Sequence, residues 1–228
     1  MRQVAALLIL HANRTASATQ LIEELWQEQP PASALTTLQT YIYQLRKIFG
    51  AVVPPGDARD LLITRPSGYA LMVPPNNLDH AQFETLLRQG RTALAAGDAD
   101  RASGLLHDAL FLWRGAPLGD VPTGPSLSAY AQWLEEQRMD ALELRIKADL
   151  AVGMHRQLIG ELKSLVAANE LHEWLHAELM IALHRSGRRG EAMGVYQQLR
   201  VTLRDSLGLE PSAGVRDVYQ QVLTDDSV

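Results

Sequence analysis

Cysteine is absent from this 228-residue chain, which excludes disulfide bridges, iron–sulfur clusters, cysteine–zinc sites and thiol nucleophiles. Long apolar runs are missing too, since the N-terminal stretch Val4–Leu10 has seven residues whereas a membrane helix needs about 20. Hydrophobic residues make up 46% and charged residues 21% of the chain, which is typical of a folded globular protein. We therefore expect a cytoplasmic protein without a membrane anchor.

Positive charge is also scarce, because 21 Lys and Arg residues stand against 26 Asp and Glu residues and the net charge is −5. Nucleic acid repels such a chain as a whole, so DNA binding requires a local cluster of cations. Residues 1–75 carry six Lys or Arg and five Asp or Glu, and no acid lies between Glu28 and Asp57. The first 75 residues are therefore the region in which we expect any nucleic-acid binding.

Hydrophobic periodicity and helix-end signals predict three helices within the first 50 residues. Ser17 and Gln20 have the spacing of a capping box at the start of the second helix. Pro30 and Pro31 exclude a continuous helix between the second and the third, and Gly50 is expected to end the third. The predicted helices span Gln3–Asn13, Ala18–Trp26 and Ser33–Phe49, with Ser33 as the cap of the third.

The third predicted helix has one apolar side and one open side. Leu38, Ile42, Leu45 and Phe49 follow helical spacing and form the side expected to be buried. The open side carries hydroxyls, amides, an aromatic ring and two cations without any carboxylate, and such groups suit phosphates and base edges. Its members are Thr36, Thr37, Gln39, Thr40, Tyr43, Gln44, Arg46 and Lys47. An ordinary solvated helix face has the same composition and stays an alternative.

Two short β-type runs follow, Leu61–Thr64 and Tyr69–Val73, with turn-forming residues at Arg65–Gly68 between them. Three helices followed by a hairpin form a winged helix-turn-helix. In that fold the third helix enters the major groove of DNA and the hairpin reaches the backbone or the minor groove. A small helical subdomain with an incidental hairpin has the same spacing and stays an alternative.

Two prolines and two asparagines at positions 74–77 mark a domain boundary, because they give a short and stiff joint that is not helical. We expect a DNA-binding domain at residues 1–75 and a helical domain at residues 76–228. Apart from a proline-containing loop at Gly115–Gly124, the second domain has helical periodicity throughout. Its predicted helices span Asp79–Ala96, Asp98–Trp113, Leu127–Val152, Gln157–Ala168, Glu173–Ser186, Arg189–Leu207 and Ser212–Leu223.

A weak internal repeat runs through this helical domain. Gly97 and Ala102 recur with the spacing of Gly187 and Ala192, in each case at the junction of two predicted helices. A small residue five positions past the glycine lets antiparallel helices approach closely, as in tetratricopeptide-type arrays. Such arrays present a groove to partners, although a plain helical bundle fits the pattern nearly as well.

One short motif points to different chemistry. His172, Glu173 and His176 have the H-E-x-x-H spacing, which on a helix places two imidazoles one turn apart for zinc beside a glutamate base. A third ligand is missing from the extended pattern, because positions 179 and 182 are Leu and Ala. We interpret these three residues as surface positions at the start of a helix. We predict no metal, no cofactor and no enzymatic activity, since phosphate-loop and nucleophile-elbow motifs are absent as well.

Longer segments resemble a known family. The runs Ala12–Trp26, Pro30–Gly50 and Ile63–Leu71 resemble the OmpR-type winged helix of the Streptomyces antibiotic regulatory proteins. The runs Gly97–Asp120 and Leu179–Ser212 are similar to the bacterial transcriptional activation domain of the same family. The resemblance implies a mainly α fold: a winged helix-turn-helix of three helices and a β-hairpin wing, followed by an all-α tetratricopeptide-like domain.

The resemblance also implies a function and a set of partners. Members of the family activate secondary-metabolite genes, bind direct repeats in double-stranded promoter DNA as homodimers, and engage the sigma factor or the alpha subunit of RNA polymerase. On this basis Tyr41, Arg46 and Lys47 are expected near phosphates, and Thr64 and Arg65 are expected to act in the wing. The groove-facing positions implied by the resemblance are Thr36, Thr37, Gln39, Thr40, Tyr43 and Gln44.

One feature departs from the family pattern. An N-terminal β-sheet precedes the first helix in family members, whereas this chain begins at the helix, so we expect that sheet to be missing. The first helix would then lack a packing surface. An alternative function follows, in which only the tetratricopeptide-like half works, as a protein-interaction or oligomerisation module with impaired DNA binding.

Overall fold

The computed structural model describes residues 1–52 and 61–224, and within them the chain is mainly helical with one small antiparallel sheet. The strands are β1 (Ala16–Ser17), β2 (Leu62–Arg65) and β3 (Gly68–Leu71). In chain order the helices are α1 (Arg2–Leu10), α2 (Ala18–Trp26), α3 (Ala34–Val52), α4 (Asp79–Ala95), α5 (Ala99–Phe111), α6 (Pro125–Ala151), α7 (His155–Ala168), α8 (Glu173–Arg185), α9 (Arg189–Leu207) and α10 (Ala213–Thr224).

These elements group into two compact units. The first contains Met1–Arg88 and His107–Leu142, so it joins the N-terminal helices and the sheet to the first part of α6. The second contains Gln89–Leu106 and the chain from Glu143 onward. The domain boundary between residues 75 and 76 stays a prediction.

The first two helices are separated by a short turn and a capping box. Helix α1 ends three residues earlier than predicted because Asn13 has a left-handed backbone (φ 65°) and its side chain pairs with the backbone of Val73, at 2.8 Å and 3.0 Å. The backbone N–H of Gln20 donates to Ser17 Oγ (3.1 Å), and the N–H of Ser17 donates to Gln20 Oε1 (2.9 Å). The predicted capping box is therefore confirmed.

The predicted end of the third helix at Gly50 is wrong, since α3 continues to Val52. Gly50 has a helical backbone rather than the left-handed conformation of a C-terminal cap. Glycine inside a helix costs about 1 kcal/mol relative to alanine, and the packing of the rest of α3 tolerates it. The predicted buried side is confirmed for Leu38, Ile42 and Leu45, while Phe49 is half-buried against the same core.

The predicted hairpin is confirmed with a tighter turn. Strands β2 and β3 pair from Leu62 opposite Leu71 to Arg65 opposite Gly68, so the turn consists of two residues rather than four. The sequence reading missed β1, which pairs with β3 and has only two residues, too few for a periodic signal. A Cβ atom at Gly68 would lie 2.0 Å from the carbonyl oxygen of Ala16, so this pairing requires glycine there.

The core of the first unit lies beneath the three N-terminal helices and the sheet. Leu7 from α1, Leu38 from α3 and Leu62 from β2 are at most 1% exposed and belong to one cluster. Leu127 from α6 is buried in the same cluster, and Leu118 packs against it from the preceding loop. Residues on both sides of the predicted boundary therefore share this core.

Three glycines end helices in the same way. Gly97, Gly153 and Gly187 have left-handed backbones with φ of 81°, 88° and 77°. In each case the backbone N–H of the residue after the glycine donates to the carbonyl oxygen five positions before it. The N–H of the glycine itself donates to the carbonyl oxygen three positions before it, and together these bonds form the Schellman pattern. Ala102 and Ala192 are fully buried, as the close helix approach in the predicted repeat requires.

The second unit is built around α8, which contacts α7, α9 and α10. A buried ionic network lies in this unit, where Arg145 contacts Asp149 (3.1 Å) and Glu161 (2.6 Å). Ser103 donates to the other oxygen of Asp149 at 2.5 Å. The buried guanidinium and carboxylate are thus both paired, as buried charges must be.

The predicted fold class is confirmed: the chain is mainly α, with a winged helix followed by a helical domain. All seven helices predicted beyond residue 76 exist, and their ends lie within two residues of the predicted ones. Over the ranges 1–52 and 61–224, no helix has the length and apolar character needed to cross a membrane.

Candidate nucleic-acid interface

The exposed side of α3 carries the polar groups that the sequence predicts there. Tyr43 is 68% exposed, so its ring and hydroxyl extend from the helix surface. Thr37 is half-buried, and Thr40 donates its hydroxyl to the carbonyl oxygen of Thr36 (3.0 Å). The exposed members of this side are Thr36, Gln39, Thr40, Tyr43, Gln44 and Lys47.

The orientation of α3 is determined by its apolar side. Leu38, Ile42 and Leu45 are at most 4% exposed and lie in the core of the first unit. Tyr41 is half-buried and packs against the same core, so only part of its side chain is accessible. The polar side of α3 consequently faces away from the core.

Arg46 has a different environment from its neighbours, because its side chain is held by the wing. The Arg46 Nε group donates to the carbonyl oxygen of Leu62 (3.0 Å), and Nη2 donates to the hydroxyl of Thr64 (2.8 Å). Both acceptors belong to β2, and Arg46 is half-buried. These two hydrogen bonds, called the Arg46 fork below, join α3 to the wing formed by β2 and β3. The sequence does not predict them, because the partners lie 16 and 18 positions apart in the chain.

Lys47 and Arg65 are the exposed cations of α3 and the wing. Neither has an ion-pair partner within residues 1–52 and 61–224. Residues 29–52 contain no Asp or Glu, so no carboxylate on α3 offsets these charges. The Lys47 ammonium group and the Arg65 guanidinium group can therefore pair with external anions such as phosphates.

The structure also reveals a buried carboxylate on α2 that sequence reasoning missed. Glu24 is 2% exposed, and its carboxylate accepts hydrogen bonds from the backbone N–H groups of Gly124 (2.6 Å), Ser126 (2.9 Å) and Leu127 (3.3 Å). These donors form the beginning of α6, where a helix leaves N–H groups unpaired and favours negative charge. Glu24 thus ties α2 to the N-terminus of α6.

A sequence signal for this contact exists but is incomplete. Glu24 lies three residues after the buried Leu21 and therefore on the apolar side of α2, where a carboxylate needs a partner. Its partners lie about 100 positions away in the chain, and periodicity within α2 cannot identify them. A Cβ atom at Gly124 would lie 2.2 Å from the carbonyl oxygen of Glu24, so glycine is required at this position.

The H-E-x-x-H residues have structural partners in the second unit. Glu173 accepts a hydrogen bond from the backbone N–H of Ser212 (2.6 Å) just before α10, and His172 lies 3.7 Å from Glu143. His176 is only 3% exposed, so the expectation that all three are surface residues is wrong for this one. Within the described part of the chain, no group of three or more His, Cys, Asp or Glu residues could hold a metal ion.

His176 is buried because it lies on the packed side of α8. Its Nδ1 atom is 3.2 Å from the carbonyl oxygen of His172 one turn earlier. Burial lowers the pKa of His176, although that hydrogen bond and the carboxylates of Glu173 and Glu170 act in the opposite direction. The imidazole is therefore neutral at pH 7 and serves as a packed core residue.

Comparison with protein families gives two matches that together span almost the whole chain. Residues 2–71 match the model described as transcriptional regulatory protein, C terminal. Residues 78–223 match the model described as bacterial transcriptional activator domain. The first match contains α3 and the wing, and the second contains all of α4 to α9.

Several curated regulatory proteins are similar to this chain. Regulatory protein DnrI of Streptomyces peucetius is 44% identical, over 99% of this chain and 84% of DnrI. Regulatory protein AfsR of Streptomyces coelicolor is 40% identical over 99% of this chain, which spans only 22% of AfsR. Transcriptional regulator RedD of Streptomyces coelicolor is 36% identical, over 100% of this chain and 65% of RedD.

The fold of the whole chain is similar to that of a solved regulatory protein. It is Mycobacterium tuberculosis EmbR in complex with a low affinity phosphopeptide, with a TM-score of 0.90 and 32% sequence identity. The match covers 100% of this chain and 59% of the EmbR chain. The relatives and this neighbour are regulatory proteins, and none is named as an enzyme.

Proposed function

Because this chain belongs to the Streptomyces antibiotic regulatory protein family, we propose that it activates antibiotic biosynthetic genes by binding specific sequences in their promoters. The observation that carries this proposal is the exposed, acid-free side of α3 beside the wing. A helix presented in this way fits the major groove of duplex DNA. Such an activator would act in the cytoplasm, where bacterial DNA lies.

Sequence preference would come from the side chains in the middle of α3. The Gln44 amide can donate to and accept from an adenine edge, and the Thr37 and Thr40 methyl groups can contact thymine methyl groups. Tyr43 adds an exposed ring and a hydroxyl at the same surface. Thr36 and Gln39 extend this surface toward the start of the helix.

Affinity would come from the cations at the end of α3 and in the wing. Lys47 and Arg65, which have no ion-pair partner among residues 1–52 and 61–224, would neutralise phosphates, and each such contact releases counterions. Arg46 would hold the wing in a fixed position beside α3 through its hydrogen bonds with Leu62 and Thr64. Tyr41 and Thr64 would complete the backbone contacts as hydroxyl donors.

Two further partners belong to this proposal. We infer that the chain binds direct repeats as a homodimer, because tandem sites bring two copies close together on one duplex. We also infer that residues 76–228 contact RNA polymerase through its sigma factor or its alpha subunit. The helical repeats support this inference, since stacked helical hairpins present concave surfaces to partner proteins.

Selection of duplexes from a random pool, followed by fluorescence-anisotropy titration of the purified chain, tests the proposal. We expect one enriched sequence that is bound more tightly than scrambled DNA. Gln44→Ala should abolish the preference at one base position, at a cost of roughly 1–3 kcal/mol on the selected duplex. Gln198→Ala changes an exposed glutamine of α9 and should leave both affinities unchanged.

Two results would contradict different parts of this proposal. Equal weakening on selected and scrambled DNA by Gln44→Ala would remove the role of Gln44 in base readout. A pool without any enriched sequence would overturn the assignment of sequence-specific binding itself.

A further inference from the structure

A cavity of about 600 Å³ lies within the first compact unit. Its walls are formed by α1, the beginning of α4, the loop at residues 112–121 and the first part of α6. Pockets that hold drug-sized molecules have volumes of about 300–1,000 Å³ and mainly apolar walls. The cavity therefore has the size of a small-molecule site, and the proposed DNA contacts do not use it.

The walls are mainly apolar and include aromatic rings. Ile9 and Leu10 line the cavity from α1, and Phe83 lines it from α4. Phe83 and Trp113 meet edge to face with ring centroids 5.3 Å apart, and the Arg138 guanidinium lies 5.0 Å from the Trp113 ring. Trp113 is therefore held between Phe83 and Arg138 in the absence of a ligand.

The polar groups of the cavity balance each other in charge. Arg2 lies 3.6 Å from Asp120, and Arg114 lies 3.6 Å from Asp79. All four side chains are largely exposed and their charges sum to zero, so they give an anion no net attraction and the apolar walls favour an uncharged ligand. Tyr130 also lines the cavity, and burial together with the Glu84 and Asp79 carboxylates raises the pKa of its hydroxyl, so that group stays protonated as a donor.

An independent observation concerns the loop that forms one wall. Leu118 lines the cavity with a left-handed backbone, φ 57°, which is rare for a residue with a branched side chain. Such conformations cost on the order of 1–3 kcal/mol and cluster at ligand clamps and switch regions. The Leu118 side chain also packs against the core of the winged helix, so the surrounding structure holds it in place.

We propose that this cavity binds an uncharged, mainly apolar aromatic small molecule, whose rings pack between Ile9, Leu10 and Trp113. A hydroxyl or carbonyl group of the ligand would pair with Tyr130 at the polar side of the cavity. The site goes beyond DNA binding, and it brings its ligand into contact with α1, whose opposite side forms the core beneath α3.

The probe for the test is N-phenyl-1-naphthylamine, an uncharged aromatic dye that becomes fluorescent in apolar sites. Its sulfonated analogue, 1-anilinonaphthalene-8-sulfonate, has the same rings and a negative charge. We expect the uncharged dye to saturate one site per chain and to bind at least tenfold more tightly than the sulfonate. Tighter binding of the sulfonate, or no saturable binding of either dye, would overturn the proposal.

Two variants locate the site. Ala5→Phe fills the cavity from α1, and Ala116→Trp fills it from the exposed loop, where no core residue is disturbed. We expect each variant to weaken binding of the uncharged dye at least tenfold, while Ala129→Phe at an exposed position of α6 outside the cavity leaves it unchanged. Should Ala5→Phe fail to fold, Ala116→Trp decides alone. Wild-type dye binding by Ala116→Trp would place the dye elsewhere and contradict the proposal.

Discussion

Arg46 and Lys47 are adjacent cations on α3 with different surroundings. Arg46 donates to two acceptors on β2, whereas Lys47 is exposed and has no ion-pair partner in the described ranges. A guanidinium fork holds two acceptors in a fixed geometry, which a lysine ammonium group cannot reproduce. We therefore expect the two residues to contribute differently to the proposed DNA binding: Arg46 by positioning the wing and Lys47 by contacting phosphates.

Substitution of Arg46 and Lys47 distinguishes positioning of the wing from phosphate contact. Lys47→Ala should lower the magnitude of the slope of log K against log salt by about 0.9, since one phosphate contact is lost. Arg46→Lys keeps the charge but breaks the fork, so we expect weaker binding by about 1–2 kcal/mol with an unchanged slope. Anisotropy titrations at several salt concentrations measure both quantities. Wild-type affinity of Arg46→Lys would show that the fork does not matter for DNA binding.

A second prediction at the residue scale concerns pH. Burial lowers the pKa of His176 in the folded chain below its unfolded value of about 6.5, so below that pH the unfolded state binds more protons. The free energy of unfolding should therefore fall as the pH drops from 7.5 to 5.5. His176→Asn offers an amide N–H to the His172 carbonyl and should reduce this fall.

The control for this prediction is Gln198→Asn, which changes an exposed glutamine of α9 that does not titrate and should leave the pH dependence as it is. Part of the pH dependence of the free energy of unfolding should remain in His176→Asn, because burial and the Arg185 charge also lower the pKa of His155. Urea unfolding curves at each pH supply the free energies. An identical pH profile for His176→Asn and the wild type would contradict the assignment of His176 as a buried neutral group.

At the scale of secondary-structure elements, the contact between α2 and α6 depends on one side chain. The Glu24 carboxylate accepts three backbone N–H groups at the start of α6, two of them from buried positions. The amide of Glu24→Gln presents an NH₂ group to donors and removes the negative charge that the helix N-terminus favours. We expect the free energy of unfolding to fall by about 2 kcal/mol.

Glu23→Gln is the matched control, because Glu23 is the exposed neighbour on the same helix. Its free energy of unfolding should stay within about 0.5 kcal/mol of the wild type. Urea unfolding followed by circular dichroism compares the two variants. Equal stability of Glu24→Gln and Glu23→Gln would show that the buried carboxylate does not stabilise this junction.

The elements differ in how far the sequence predicts them. Helices α4 to α10 were predictable because apolar residues recur in them with helical spacing and because glycines such as Gly97 and Gly187 end several of them. Strand β1 was not predictable, since two residues are too few to show the alternation of a β-strand. The open side of α3 was predictable because the helical spacing that identifies the buried residues also identifies the exposed ones. The Arg46 fork and the Glu24 contact were not, because both depend on which distant backbone groups the fold brings near.

At the scale of the whole molecule, charge is distributed unevenly along the chain. Residues 76–228 carry 15 Lys or Arg against 21 Asp or Glu, whereas residues 1–75 carry six against five. Most of the chain therefore repels DNA, so the proposed binding would depend on the local cations of α3 and the wing. This distribution suits an activator that contacts DNA through one surface and leaves its helical repeats to protein partners.

The most direct test of the central claim is photo-crosslinking from position 43. Tyr43 is replaced by p-benzoylphenylalanine, and the chain is irradiated on its selected duplex and resolved on a denaturing gel. Phe111, which is 88% exposed outside α3 and the wing, receives the same replacement as the control. We predict a covalent protein–DNA adduct from position 43 and none from position 111. A bound duplex that forms no adduct with position 43 would contradict the placement of α3 in the major groove.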